Sequence, residues 1–391
     1  MTPQRVLQES PAWDKTPAWD KTPTWDKTPV AGAIRPFRED DIGQAAELHR
    51  SVFATGPSMT PGLRDLYDGY FRQVFLGHPR QREDLPSLVY EERGRVMGFT
   101  GSVPRAMRMR GRPVLARLTS QFVVDPQRRG VVGVKMLQTM LNGPQDLTVA
   151  DESNTSSRRI WEALGGHTAR LRSFTWIYPL RPCSAALSFV ARRGGVAGAL
   201  AGISAPAARC LDWLTTPIRT NIFRPAVPRL AGHEMDFETL LASLSSGLGR
   251  SLQPDHDRQS LEWALGRAAR FRGRGALRKA IVKSTNQETA GWYISYSNPG
   301  GVEEVLQIFA KPTAAQDVFD HLLHEARLRG AAAVSGSFDP LFMESYVERR
   351  CILRGGPWVL VHSRNPELTR AFQDDDVFFS RLEGEWCLHF R

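Results

Sequence analysis

The chain has few cysteines for its 391 residues. Its four, Cys183, Cys210, Cys351 and Cys387, form no C-x-x-C pair. That spacing excludes a disulfide framework and a cysteine-built zinc site, and it suits a reducing, cytoplasmic compartment. Long apolar runs are missing too. The longest uncharged stretch, Gly194 to Ala208, is short and glycine-rich for a membrane span, and the N-terminus lacks the basic start and apolar segment of a secretory signal. Acidic residues are outnumbered, 41 against 51 basic, which gives a formal net charge of +10. Such a surplus suits an anionic partner without choosing among a nucleotide cofactor, an acidic glycan, nucleic acid and a membrane face.

What is present begins with a repeat. "PAWDKT PAWDKT PTWDKT P" places proline at every sixth residue from Pro11 to Pro29. Proline at that spacing blocks helix and sheet, so residues 1–30 are expected to form an extended, disordered tail. From Ala33 the pattern becomes globular. A strand "AIRPFRED" leads into two helical runs, "DDIGQAAELHRSVF" and "PGLRDLYDGYFRQVF". Three strand candidates follow, "SLVYEE", "RVMGFTGSVPRAMRMRG" and "RPVLARLTSQFVV", then a turn and helix "DPQRRGVVGVKML". A strand "DLTVAD", a helix "NTSSRRIWEALGG" opened by Asn154 and a last strand "HTARLRSFTWIYPL" complete this part. Residues 182–232 are rich in alanine, glycine, proline and arginine and read as a helical connector; a basic amphipathic segment resting on a membrane surface is the alternative. Residues 233–391 repeat the earlier logic: a helix, a hairpin, the strand "EEVLQIFAKP", a long helix and the strand "AAAVSGSF".

The turn "VVDPQRRGVVGV" sets glycines and arginines at a helix start, where free backbone N–H groups and positive charge suit a pyrophosphate. With the "N-x-x-S" start and the "E-x-L-G" end of the next helix, the order and residues of 31–181 resemble the GCN5-related N-acetyltransferase (GNAT) family. In that family a strand ending in V-x-P runs into Q/R-x-x-G-x-G/A. Here Gln127 and Gly130 align with Val132 in the last slot, or Arg128 leads with Val131 in place of a glycine and Gly133 last. The second motif is matched by Asn154, Ser157, Trp161, Glu162, Leu164 and Gly165.

The resemblance implies an α/β (α+β) chain of two tandem GNAT-like folds, each a mixed, mostly antiparallel sheet flanked by helices. Residues 31–181 would be the acyl-CoA-binding unit, 182–232 the connector and 233–391 a degenerate second unit, whose "AKPTAAQDV" has no glycine where the first has its loop. It implies acetyl-CoA or another acyl-CoA as substrate and no metal. The pyrophosphate would lie on the N–H groups of Arg129, Gly130, Val131, Val132, Gly133 and Val134, with Arg128 and Arg129 adding charge. Phe122, Val123 and Val124 would pair with the pantetheine amides, and Asn154 and Ser157 would border that arm. The acceptor would be an amine on a small molecule, glycan or peptide; nucleic acid is not expected and peripheral membrane contact is allowed.

Two features of the family are missing. "LARLTSQFVV" has no carboxylate to act as base, and Trp161 stands where many relatives have an acidic tyrosine. Proton transfer is therefore expected to rely on water, with Asp151, Glu152 and Trp161 as weak candidates. His362, Arg364, Glu383 and Glu385 form a mixed set that would line an acceptor cleft or simply alternate along edge strands. The absences keep open a non-catalytic acyl-CoA-binding scaffold, and the paired units keep open a Fem-like transferase that uses aminoacyl-tRNA.

Overall fold

The computed structural model describes residues 32–53, 59–191, 204, 206–208, 210–212, 223–271 and 273–390. The hexapeptide repeat and nearly half of the connector lie outside the described residues. Within the connector, a helix spans Pro182–Ala191, and the Cys183 and Ser184 N–H groups at its start donate to the Asp212 carboxylate at 2.9 Å.

The first half follows the expected order. β1 (Ala33–Pro36) leads to α1 (Ile42–Phe53) and α2 (Pro61–Phe71), then β2 (Leu88–Glu92), β3 (Arg95–Met109), β4 (Arg112–Val124), α3 (Val131–Leu141), β5 (Leu147–Ser153), α4 (Thr155–Ala163) and β6 (His167–Thr168). The segment expected as one last strand is broken by a 3-10 turn at Leu171–Ser173 into β6 and β7 (Phe174–Pro179). The second half contributes β8 (Ala231–Glu234), β9 (Leu252–Pro254), β10 (Ala276–Lys283), β11 (Thr289–Ser297), β12 (Val302–Ala310), β13 (Ala333–Ser337), β14 (Ile352–Gly355) and β15 (Trp358–His362).

These strands build two mixed, mostly antiparallel sheets with matching paths. One runs β1-β2-β3-β4-β5-β15-β6, with β9 added on β3, and the other runs β8-β10-β11-β12-β13-β7-β14. In each, the next-to-last strand comes from the other half of the chain. β15 pairs with β5 from Trp358↔Ser153 to His362↔Thr148, while β7 pairs with β13 from Thr175↔Ser337 to Pro179↔Ala333. Sequence pattern alone groups Phe174–Pro179 with the strands before it. An apolar, β-branched run satisfies either sheet, and only tertiary pairing decides.

The crossing is fastened by Arg172, 7% exposed, whose guanidinium reaches Asp375 at 3.1 Å, Asp339 at 3.4 Å and the Val377 carbonyl at 2.7 Å. Arg250 adds a second ion pair to Asp339 at 2.9 Å. The segment after the last long helix also departs from expectation. "SRLEGEWCLHF" is a turn followed by a 3-10 helix at Glu385–Leu388, not a strand, and it lies between the two sheets. Phe378, Leu382, Trp386 and Cys387 pack there against Trp292, Ile294, Tyr296 and Leu306 of the second sheet.

Because each half completes the other's sheet, a chain cut between residues 200 and 201 should yield two pieces that lack cooperative melting alone and regain it on mixing. Circular dichroism against temperature reads the outcome; a sharp transition in the first piece alone would contradict it.

Candidate functional site

The site begins where β4 and β5 part. They run parallel and share the rungs Ala116↔Leu147, Arg117↔Thr148 and Leu118↔Val149. Beyond these, β4 continues to Val124 beside β3, and β5 continues to Ser153 beside β15. A wedge-shaped opening results, with the Thr119–Val124 edge of β4 no longer paired to β5. On β4 the pairing with β3 slips between Phe99 and Gly101, and Gln121 takes a positive φ of 55°. Such a backbone is costly for a side-chain-bearing residue and marks a place held by its surroundings. Gln121 Oε1 is held by His49 Nε2 at 2.5 Å, and the Tyr67 hydroxyl lies 3.1 Å from His49 Nδ1. Burial keeps His49 neutral, pushing its pKa down to about 4.

At the wide end of the wedge stands the start of α3. Its N-cap is Gly130, whose φ of 83° favours glycine, and no side chain caps the helix. The first-turn N–H groups of a helix have no intrahelical partner, and with the helix dipole they form an anion-binding end. The preceding turn is tied by Asp125, which accepts from the Gln127 and Arg128 N–H groups at 2.9 and 2.8 Å. Val132 and Gly133 lie inward on the helix, and a Cβ added at Gly133 would meet Phe122 and Val124 of β4 at ordinary contact distance. Val124 packs with Val132 and Met136, while Phe122 also contacts the cluster of Leu137, Ala150 and Trp161.

Two expected site residues are placed differently. The Arg128 guanidinium does not overhang the loop; it forms a two-bond pair with the buried Glu92 carboxylate at 2.7 and 2.9 Å. Arg129 stays beside the turn, donating to the Val124 carbonyl at 3.4 Å. Trp161 is 2% exposed and belongs to the core beneath α3 and α4, not to the wedge. Asn154 caps α4 by accepting from the Ser157 N–H at 2.8 Å.

The narrow end of the wedge is acidic. The 3-10 helix at Glu385–Leu388 packs against both β4 and β5. Glu385 Oε1 accepts from the Asp151 and Glu152 N–H groups at 3.0 and 3.3 Å, beyond the last rung shared with β4, and its own N–H donates to Asp151 Oδ1 at 2.7 Å. The two carboxylates thus clamp each other's backbone. Burial, and then the charge of Glu152, push the Asp151 carboxyl up; burial, and then Asp151 and Glu152, push Glu385 up as well. Glu152 also lies 4.0 Å from His389 Nε2. Gly384 leaves no room for a side chain, since a Cβ there would overlap the Asp151 carboxylate.

Asp151 and Glu152 open onto a cavity of about 50 Å³ between the sheets, whose apolar walls include Phe174, Phe338, Pro357 and Phe379. Of the mixed set anticipated from the terminal segments, Glu385 reaches Asp151 and Glu152, while Glu383 lines a separate cavity. His362 and Arg364 sit at the other end of β15, where His362 is opposite Thr148 and Arg364 donates to the Asn142 carbonyl at 3.1 Å. His49, Gln121 and His389 went unnoticed in the sequence; a lone histidine in a helix and a glutamine in a strand carry no motif. Among the described residues no group of three histidines, cysteines, aspartates or glutamates is placed to hold a metal ion, and no helix is long and apolar enough to cross a membrane.

No protein-family model matches the sequence, and no curated protein matches it. Solved structures do. A probable N-acyltransferase from Enterococcus faecalis V583 superposes with a TM-score of 0.54 at 9% identity, over 85% of this chain and 73% of that one. A GCN5-related N-acetyltransferase from Anabaena variabilis ATCC 29413 gives 0.53 at 12% identity, over 86% and 73%. At such identities the likeness is one of fold. Together with the strand order, the parting of β4 and β5 and the α3 turn, it shows that the chain carries the GCN5-related N-acetyltransferase fold, built twice in tandem.

Proposed function

We propose that the chain is an N-acyltransferase that takes acetyl-CoA, or a close acyl-CoA, in the first unit and passes the acyl group to an amine. The observation that carries this reading is the wedge between β4 and β5 with the uncapped start of α3 at its mouth. The pyrophosphate would rest on the N–H groups of Arg129 to Val134, with Arg129 supplying the nearest charge. The pantetheine arm would pair with the open edge of β4 at Phe122 to Val124, bordered by Asn154 and Ser157.

The acceptor would enter the cavity beside Asp151 and Glu152. An uncharged amine attacks the thioester carbonyl; the C–N bond forms, the C–S bond breaks, and CoA thiolate takes a proton from solvent. The proton released by nitrogen passes to Asp151. Burial makes Asp151 a better base than a solvated carboxylate, because it disfavours the charged form and so raises the affinity for the proton, outweighing the opposite pull of the Glu385 N–H. Water alone need not carry the transfer, as the sequence by itself suggests.

Calorimetry should show acetyl-CoA binding to the full chain, weakened about tenfold or more in Arg129→Glu with the melting temperature unchanged. Failure of the wild type to bind would remove this reading. With an acceptor in hand, kcat/KM should climb as Asp151 loses its proton, with its carboxyl pushed up to about 7. Asp151→Asn should remove that limb and cost roughly 100-fold or more, with acetyl-CoA affinity intact. A profile unchanged in Asp151→Asn would return proton transfer to water.

A further inference from the structure

A second cavity, of about 20 Å³, shares Phe379 with the first and is lined by His78, Arg80, Arg105, Asp255, His256 and Glu383. Its hydrogen bonding does not close. His78 is 3% exposed, and its Nδ1 accepts from the Arg80 backbone N–H at 3.1 Å. A backbone N–H can only donate, so the ring proton resides on Nε2. Yet Nε2 faces the Arg105 guanidinium, another obligate donor, at 3.1 Å. Two donors therefore meet without an acceptor between them.

Arg105 deepens the imbalance. One of its nitrogens donates to the Glu383 carbonyl at 3.0 Å, but its buried NH2 has no hydrogen-bond partner among the described residues, and neither does the buried Nε of Arg80. No carboxylate oxygen hydrogen-bonds Arg105; the Glu383 and Asp151 carboxylates act on it only through their charge, and burial outweighs them. Glu383 spends its oxygens on His256 at 3.2 Å, Gln307 at 3.0 Å and the N–H and hydroxyl of Ser380 at 2.9 and 2.5 Å. Asp255 pairs with Arg108 at 3.0 Å. A buried guanidinium with no carboxylate in hydrogen-bond contact is costly, and convergent donors with no acceptor are the complement of an anion. Burial, and then the charges of Arg105 and Arg80, also hold His78 neutral, so it offers a proton without adding repulsion.

We propose that this cavity binds one small monovalent anion, a halide ion or the carboxylate end of a solute, between His78 Nε2–H and the Arg105 guanidinium with Arg80 beside them. The volume admits one such group and no more. Because Arg105 also holds the Glu383 carbonyl, a bound anion fixes the strand of chain that carries Glu385 to Asp151. The inference does not depend on acyl transfer.

The test uses the full chain. Melting temperature is followed against sodium bromide and sodium formate, with sodium gluconate holding sodium constant. A saturable rise of several degrees is expected in the wild type and is lost in Arg105→Gln and in Arg80→Gln. Saturation by formate at a concentration tenfold or more below bromide assigns a carboxylate ligand; the reverse assigns a halide. Crystals soaked in bromide give a reading that needs no variant, with an anomalous peak within hydrogen-bond reach of His78 and Arg105. A non-saturating rise shared by the variants, or an ordered water in place of bromide, overturns the proposal.

Discussion

The structure depends on backbone hydrogen bonds exchanged between the two halves. β5 gives up β4 after Leu118↔Val149, and it remains a strand because β15 pairs along its other edge. Without that partner the strand bearing Asp151 and Glu152 would hold few of its N–H and C=O groups, and unpaired buried backbone is costly. The wedge, the acidic end and the path of the last segment all follow from a strand supplied by residues 358–362. β7 does the same for β13, so neither sheet is complete within one half.

The second consequence of this arrangement is where polarity is buried. The turn and 3-10 helix after Phe378 pass between the sheets and bring Glu383 and Glu385 into the interior. Each carboxylate is surrounded by donors: Glu385 by N–H groups of β5, Glu383 by His256, Gln307 and Ser380. Buried carboxylates hold their places only when so satisfied. In the second unit, the corresponding opening of β12 away from β13 meets the chain's own Arg381, which donates to the Val305 carbonyl at 3.4 Å.

Much of the first unit was legible in the sequence because its signals are local. Asn154 capping Ser157 N–H, glycine at a positive φ before α3 and the successive antiparallel strands β2 to β4 each follow from neighbouring residues. Long-range choices were not. "TWIYP" and "WVLVH" read as strands but do not say which sheet they join. Arg128 sits in the loop motif, and nothing nearby in sequence shows that Glu92 takes it. "LEGEW" alternates like an edge strand; its glycine is there because Gly384 lies against Asp151, a neighbour far off in the chain. The acidic pairing of Asp151 with Glu385 was out of reach for the same reason.

The exchanged strand also bears on how the protein is made. The Ser363 hydroxyl donates to the Asp146 carbonyl at 2.5 Å across 217 residues of chain. During synthesis the first sheet therefore waits, its β5 edge open, until residues 358–362 have left the ribosome. Contacts this distant in sequence slow folding and leave strand edges exposed to other chains. A protein wired this way is poorly suited to folding domain by domain, and its yield in the cell should depend on how long that one edge stays unpaired.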